Sequence, residues 1–146
     1  MNIIAAVDFS PVTGAVLDAL EQFAASIAAR VWLVHVVAPD PAFVGYETGP
    51  GGVRNQVAAE HRKHHQDLQH LAERLRTAGI ETTALLLQGP TVETIISEAD
   101  RLPASLIVLG SHGHGRVYDV LVGSVSEGIV RASKVPVLLV PARRGT

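Results

Sequence analysis

Five short apolar runs divide this chain, and they scarcely alternate: Ile3 to Val7, Val31 to Val37, Thr83 to Leu87, Leu106 to Leu109 and Val135 to Val140. A strand covered on one face alternates apolar with polar residues. A strand covered on both faces does not, and such strands belong to parallel sheets sandwiched by helices. Parallel neighbours need a long crossover between them. Each gap here holds a segment of helical period. Val16, Leu20, Phe23 and Ile27 share one face of the first. Leu68, Leu71 and Leu75 mark the second, Val92, Ile95, Ile96 and Ala99 the third, and Val125, Ile129 and Val130 the fourth. The order β-α-β-α-β-α-β-α-β predicts an α/β fold, a single doubly wound domain over residues 1–146 with about four helices.

Helix ends fit this division. Ser10-Pro11 suits an N-cap followed by the first helical residue, where proline loses no hydrogen bond. Ser124-x-x-Glu127 suits a capping box, and Gly79 a helix stop. One segment breaks the rhythm. Residues 38–53 hold Pro39, Pro41, Gly45, Gly49, Pro50, Gly51 and Gly52, and a loop this long in a compact domain is usually functional or mobile.

Composition removes several classes of function. The net charge of -2 argues against a dedicated nucleic-acid binder. Without cysteine there is no disulfide, no Cys-zinc site and no thiol catalysis. No apolar run approaches the roughly 20 residues that span a bilayer. The start, Met-Asn-Ile-Ile-Ala-Ala-Val-Asp, lacks the basic and apolar regions of a signal peptide. The expectation is a soluble, cytoplasmic protein with no membrane partner.

In an open parallel sheet, ligands sit at the carboxyl ends of the strands, where the winding reverses. Asp8 follows the first run. Gly110 follows the fourth and opens Gly110-Ser-His-Gly113, with Gly123-Ser124 after nine more residues. Glycines let a backbone approach an anion closely and turn its amides inward. Ser124 falls at a helix start, where unpaired amides and the helix dipole attract phosphate. The structural alternative is a plain strand-to-helix loop whose glycines serve only turns. Asp8 has its own alternative, as a cap on the first helix.

Through these residues the chain resembles the universal stress proteins over essentially its full length. The matching pieces are Ala-Val-Asp8-x-Ser10, Leu33-Val-His35-Val-Val, Leu106-Ile-Val-Leu-Gly110-Ser-His-Gly113, Leu121-Val-Gly123-Ser124-Val-Ser-Glu127 and Val135-Pro-Val-Leu-Leu-Val140. The family's ATP-binding members carry G-x2-G-x9-G-[ST], and this sequence has the full pattern. The resemblance implies a sheet of strand order 3-2-1-4-5. It implies ATP, or ADP or AMP, as ligand. Asp8 would meet the adenine or ribose side with Pro11 nearby, and Val36 would line the adenine pocket. Leu109, Gly110, His112 and Gly113 would border ribose and phosphates, and Gly123, Ser124 and Val125 would hold the phosphates. Magnesium would bridge phosphate oxygens. Many members have Arg or Lys just after the second glycine. Here His114 stands there, and Arg116 follows two residues later. Either could neutralise phosphate charge.

Other signals point to structure. His112 and His114 form an H-x-H pair without a third ligand nearby, and His61 and His65 are an i,i+4 pair; two ligands are too few for a zinc site. His61 and His64 also extend the stripe of Leu68, Leu71 and Leu75, which suits packing. His35, inside a strand, reads as a satisfied core histidine, and Trp32 as a packing residue. G-x-S-x-G and the Walker pattern are absent, as is H-x-G-H after the first strand. The leading expectation is a non-catalytic, ATP-binding regulatory protein of stress response acting with an unknown protein partner. Its rivals are a nucleotide-free structural dimer and a weak ATP-hydrolysing or adenylyl-transferring enzyme. The apolar strand Val137 to Val140 would lie at a sheet edge. An exposed edge of that kind is expected to pair with a second copy, giving a homodimer.

Overall fold

The structure, a computed structural model, describes residues 1–37, 51–111 and 122–142, with only the backbone described for 51–55. The elements alternate as expected: β1 (Asn2–Ala6), α1 (Val12–Phe23), β2 (Arg30–Val37), α2 (Gly51–Thr77), β3 (Glu81–Gln88), α3 (Thr91–Arg101), β4 (Leu106–Gly110), α4 (Ser124–Ala132) and β5 (Val137–Val140). All four strand pairings are parallel, and the order is β3-β2-β1-β4-β5. β1 is central. Ile4 lies opposite Trp32 of β2 on one side and Ile107 of β4 on the other.

The lack of alternation in the strands is explained by two cores. Ile3, Ala5, Val31, Leu33 and Val108 face α1 and α2, where they meet Leu17, Leu20, Leu68 and Leu75. Ile4, Val34, Ile107 and Leu109 face α3 and α4, where they meet Ile95 and Ile129. Successive residues of one strand thus enter opposite cores. Each buried Leu or Ile contributes roughly 1.5–3 kcal/mol through removal from water. Trp32 packs, half-buried, on the α3 side.

Several boundary expectations need correction. Residues 51–53 belong to α2, not to the preceding loop; residues 38–50 lie outside the described residues. Ile27 follows the end of α1 and is exposed. On α4 only Ile129 of the expected face is buried. Val125 and Val130 are exposed, and Ser126 takes the inward position. Neither serine cap forms. Pro11 already has helical dihedrals and Ser10 makes no side-chain cap. Gly123 is the cap of α4, which puts Ser124 inside the helix, and Glu127 pairs with Arg131 instead.

The stop at Gly79 holds. Its φ is +85°, its amide donates to the Arg76 carbonyl, and the Ile80 amide donates to the Leu75 carbonyl. These two bonds form a Schellman closure, sealed by burial of Leu75 and Ile80. Gly79→Val is expected to lower stability by about 1–2 kcal/mol in urea unfolding. Gly14, exposed in the first turn of α1 with nothing within 4 Å of an added Cβ, behaves oppositely. Gly14→Ala is expected to raise stability by about 0.5–1 kcal/mol.

Candidate functional site

The winding reverses beside β1, and a cleft opens where the ends of β1, β2 and β4 meet the first turns of α1, α3 and α4. Its volume is about 330 Å³, at the lower end of the range for small-molecule sites. Asp8, Val36, Leu109, Gly110, Gly123, Ser124 and Val125 all line it. These residues span 118 positions of sequence, from Asp8 to Val125, yet meet in one place. Of the described residues expected at a ligand, only Pro11 does not line it. His112, Gly113, His114 and Arg116 lie outside the described residues.

The strand ends set the floor. Asp8 follows β1 and accepts the Ser10 amide on Oδ1 at 3.0 Å. Between them Phe9 has a φ of +59°, a backbone conformation unfavourable for a residue with a Cβ. Packing holds it there. The Phe9 ring lies 4.6 Å from that of His35 and stacks on that of His64 at 5.8 Å. His35 in turn donates from Nδ1 to the Val7 carbonyl, at 2.8 Å. His35 and His64 therefore brace the turn that presents Asp8. No group of three or more His, Asp or Glu among the described residues could hold a metal ion.

The helix starts set the walls. A Cβ on Gly110 would lie 2.4 Å from Cγ1 of Val12, so α1 can close on β4 only because residue 110 lacks a side chain. Ser126 donates its hydroxyl to the Gly110 carbonyl at 2.8 Å, fixing α4 on the same strand end. The Gly123 amide donates to the Ser111 carbonyl, and the Ser111 amide donates to Val140 of β5 at 2.8 Å. Gly123 itself has a φ of -71°, extended backbone open to any residue.

Sequence reasoning missed the contributions of Val12, Thr13 and Val16 from α1 and of Thr91 and Ile95 from α3. The apolar ones look like ordinary core positions in their helices. Only the meeting of three helix starts shows that these also border a cleft.

Residues 1–141 match the sequence model of the Universal stress protein family. The chain belongs to the universal stress protein family. Universal stress protein A homolog 1 of Coxiella burnetii is 33% identical over 146 residues, covering 95% of this chain and 94% of that protein. The solved structure of MJ0577, a universal stress protein of Methanocaldococcus jannaschii, matches with a TM-score of 0.82 at 25% identity, covering 99% of this chain and 97% of that one. The universal stress protein from Archaeoglobus fulgidus, solved in complex with dAMP, matches with a TM-score of 0.66 at 23% identity. That match covers 96% of this chain and 97% of the other, and at this identity it shows the fold. As for membranes, no helix among the described residues is long and apolar enough to cross one.

Two outcomes follow for this family member. Gly110→Ala is expected to lower stability by about 1–3 kcal/mol, the usual effect of overpacking. Val12→Ala in the same chain is expected to recover part of it, giving a non-additive double-mutant cycle in urea unfolding. Strict additivity would remove the steric account of Gly110.

The second concerns pH. Burial holds His35 below its ordinary imidazole range, against the raising effect of its bond to the Val7 carbonyl; His64 lowers it further and Asp8 raises it. The unfolded chain takes up this proton near pH 6.5, the folded ring only at lower pH. Stability is therefore expected to fall as pH drops below about 6.5 and to level off once the folded ring is itself protonated. In thermal melts across pH, His35→Asn is expected to show a shallower fall.

Proposed function

We propose that this universal stress protein binds an adenine nucleotide in the cleft, ATP foremost with ADP and AMP as alternatives, and acts as a regulatory homodimer. The observation that carries this reading is the start of α4 at Gly123. Glycine at this cap leaves room for another group to approach the first amides of the helix closely. The first amides of a helix have no partner within it, and the dipole favours an anion beside them. Ser126 is already bonded to Gly110, whereas Ser124 is exposed at the opening and supplies a hydroxyl for a phosphate oxygen. Asp8 accepts from sugar hydroxyls, and Val36 and Ile95 give the base an apolar wall. A dAMP complex in a relative of the same fold agrees with an adenine ligand. Magnesium would be held by phosphate oxygens and water. Carried over from the family pattern, His112 and Gly113 border ribose and phosphate, and Arg116 or His114 supplies positive charge.

The dimer forms along β5. It lies at the end of the sheet. Leu138 is 38% exposed there, and Val130 of the neighbouring α4 is 48% exposed. Pairing with a second copy covers this edge. One observation favours the nucleotide-free structural dimer. Gly110 has a packing role against Val12 that needs no ligand.

Magnesium-ATP separates the two. At 100 times its Kd it is expected to stabilise the wild-type protein by about 2.7 kcal/mol, read as a rise in Tm. Gly123→Val is expected to lose that rise while sedimenting as the same dimer. A wild-type protein that ATP does not stabilise contradicts the reading, and full ATP affinity in Gly123→Val removes the cradle.

A further inference from the structure

Among the described residues, four buried side-chain polar atoms have no hydrogen-bond partner: Ser10 Oγ, Thr13 Oγ1, Trp32 Nε1 and His64 Nδ1. Of these residues only Thr13 lines the cleft. It sits in the first turn of α1, is 7% exposed, and lies between two valines that also line the cleft, Val12 and Val16. A buried hydroxyl without a partner is unfavourable, and valine would fill the same volume without that penalty. We infer that Thr13 is a specificity-determining contact, and that its missing partner is a sugar hydroxyl of the bound nucleotide. This rests on the nucleotide reading of the cleft.

The chemistry is complementary to that of Asp8 at the same cleft. A carboxylate only accepts, so a sugar hydroxyl must donate to it. The oxygen of that hydroxyl then has lone pairs to accept a bond, and the Thr13 hydroxyl donates one. Phosphate oxygens have their own donors at the start of α4. The oxygen of Thr13 is shielded from solvent in this structure. Threonine in a helix has two accessible χ1 wells, and rotation between them carries the hydroxyl to a different position around the Cα–Cβ bond. The ligand selects the well that turns the hydroxyl into the cleft.

Titration calorimetry of the full chain with ATP, 2′-deoxy-ATP and 3′-deoxy-ATP tests this, alongside melts without ligand. Thr13→Val is expected to bind ATP about 5–10-fold more weakly, the loss of one hydrogen bond. Its ligand-free Tm is expected to match or exceed that of the wild type. The penalty is expected to vanish for one of the two deoxy analogues, and Thr13→Ser is expected to bind like the wild type. Unchanged ATP affinity in Thr13→Val overturns the inference. So does an equal penalty for all three ligands, which places the contact away from the sugar. A ligand-free Thr13→Val that melts well below the wild type, or fails to fold, also overturns it, because the hydroxyl then has a structural partner. Wild-type protein that binds none of the three ligands instead removes the nucleotide reading itself.

Discussion

The parallel pairing of β1 on both of its edges is the constraint on which the rest of the structure depends. Ile3, Ile4 and Ala5 are fully buried because β2 and β4 flank them and helices cover both faces. A parallel sheet wound outward in two directions from such a strand leaves a crevice at its carboxyl end. Asp8 stands at that end for this reason alone. Every other lining residue reaches the crevice from a strand end or a helix start that the same winding brings there.

The crevice and the sheet edge are joined by short bonds. Ser111 accepts from Gly123 at the cradle and donates to Val140 of β5. Ser126 and Val12 fix α4 and α1 on the intervening Gly110. The strand offered for pairing with a second copy is thus hydrogen-bonded, through one residue, to the start of the helix offered to phosphate. This connectivity puts the proposed phosphate cradle and the proposed pairing edge in mechanical contact. The histidines at 35 and 64 act on the other side, bracing Phe9 and with it the turn carrying Asp8.

The fold was legible because its strongest signal is burial on both faces, which writes itself into consecutive residues. Ile3 to Val7 and Leu106 to Leu109 could be nothing else in a chain with helical gaps. The cleft lining was legible where it depends on residue type and place: spacing marks Gly110, Gly123 and Ser124, and the end of the first strand marks Asp8. What escaped depends on neighbours distant in sequence. Ser10 looks like a cap, but Asp8 takes the local amide and the chain enters the helix at Pro11. Val125 and Val130 have the period of a buried face, yet α4 rests on the sheet through Ser126 and Ile129. Val12 and Thr13 have no local mark of a ligand wall, since only the approach of β4 makes them one.

The proposed occupant of the crevice is an adenine nucleotide. Native mass spectrometry of the protein as purified, without added ligand, tests this most directly. A bound mass of AMP, ADP or ATP is expected, lost on denaturation, with an adenine absorbance in the released fraction. Protein that carries no nucleotide, and stays empty after incubation with magnesium-ATP, would contradict it.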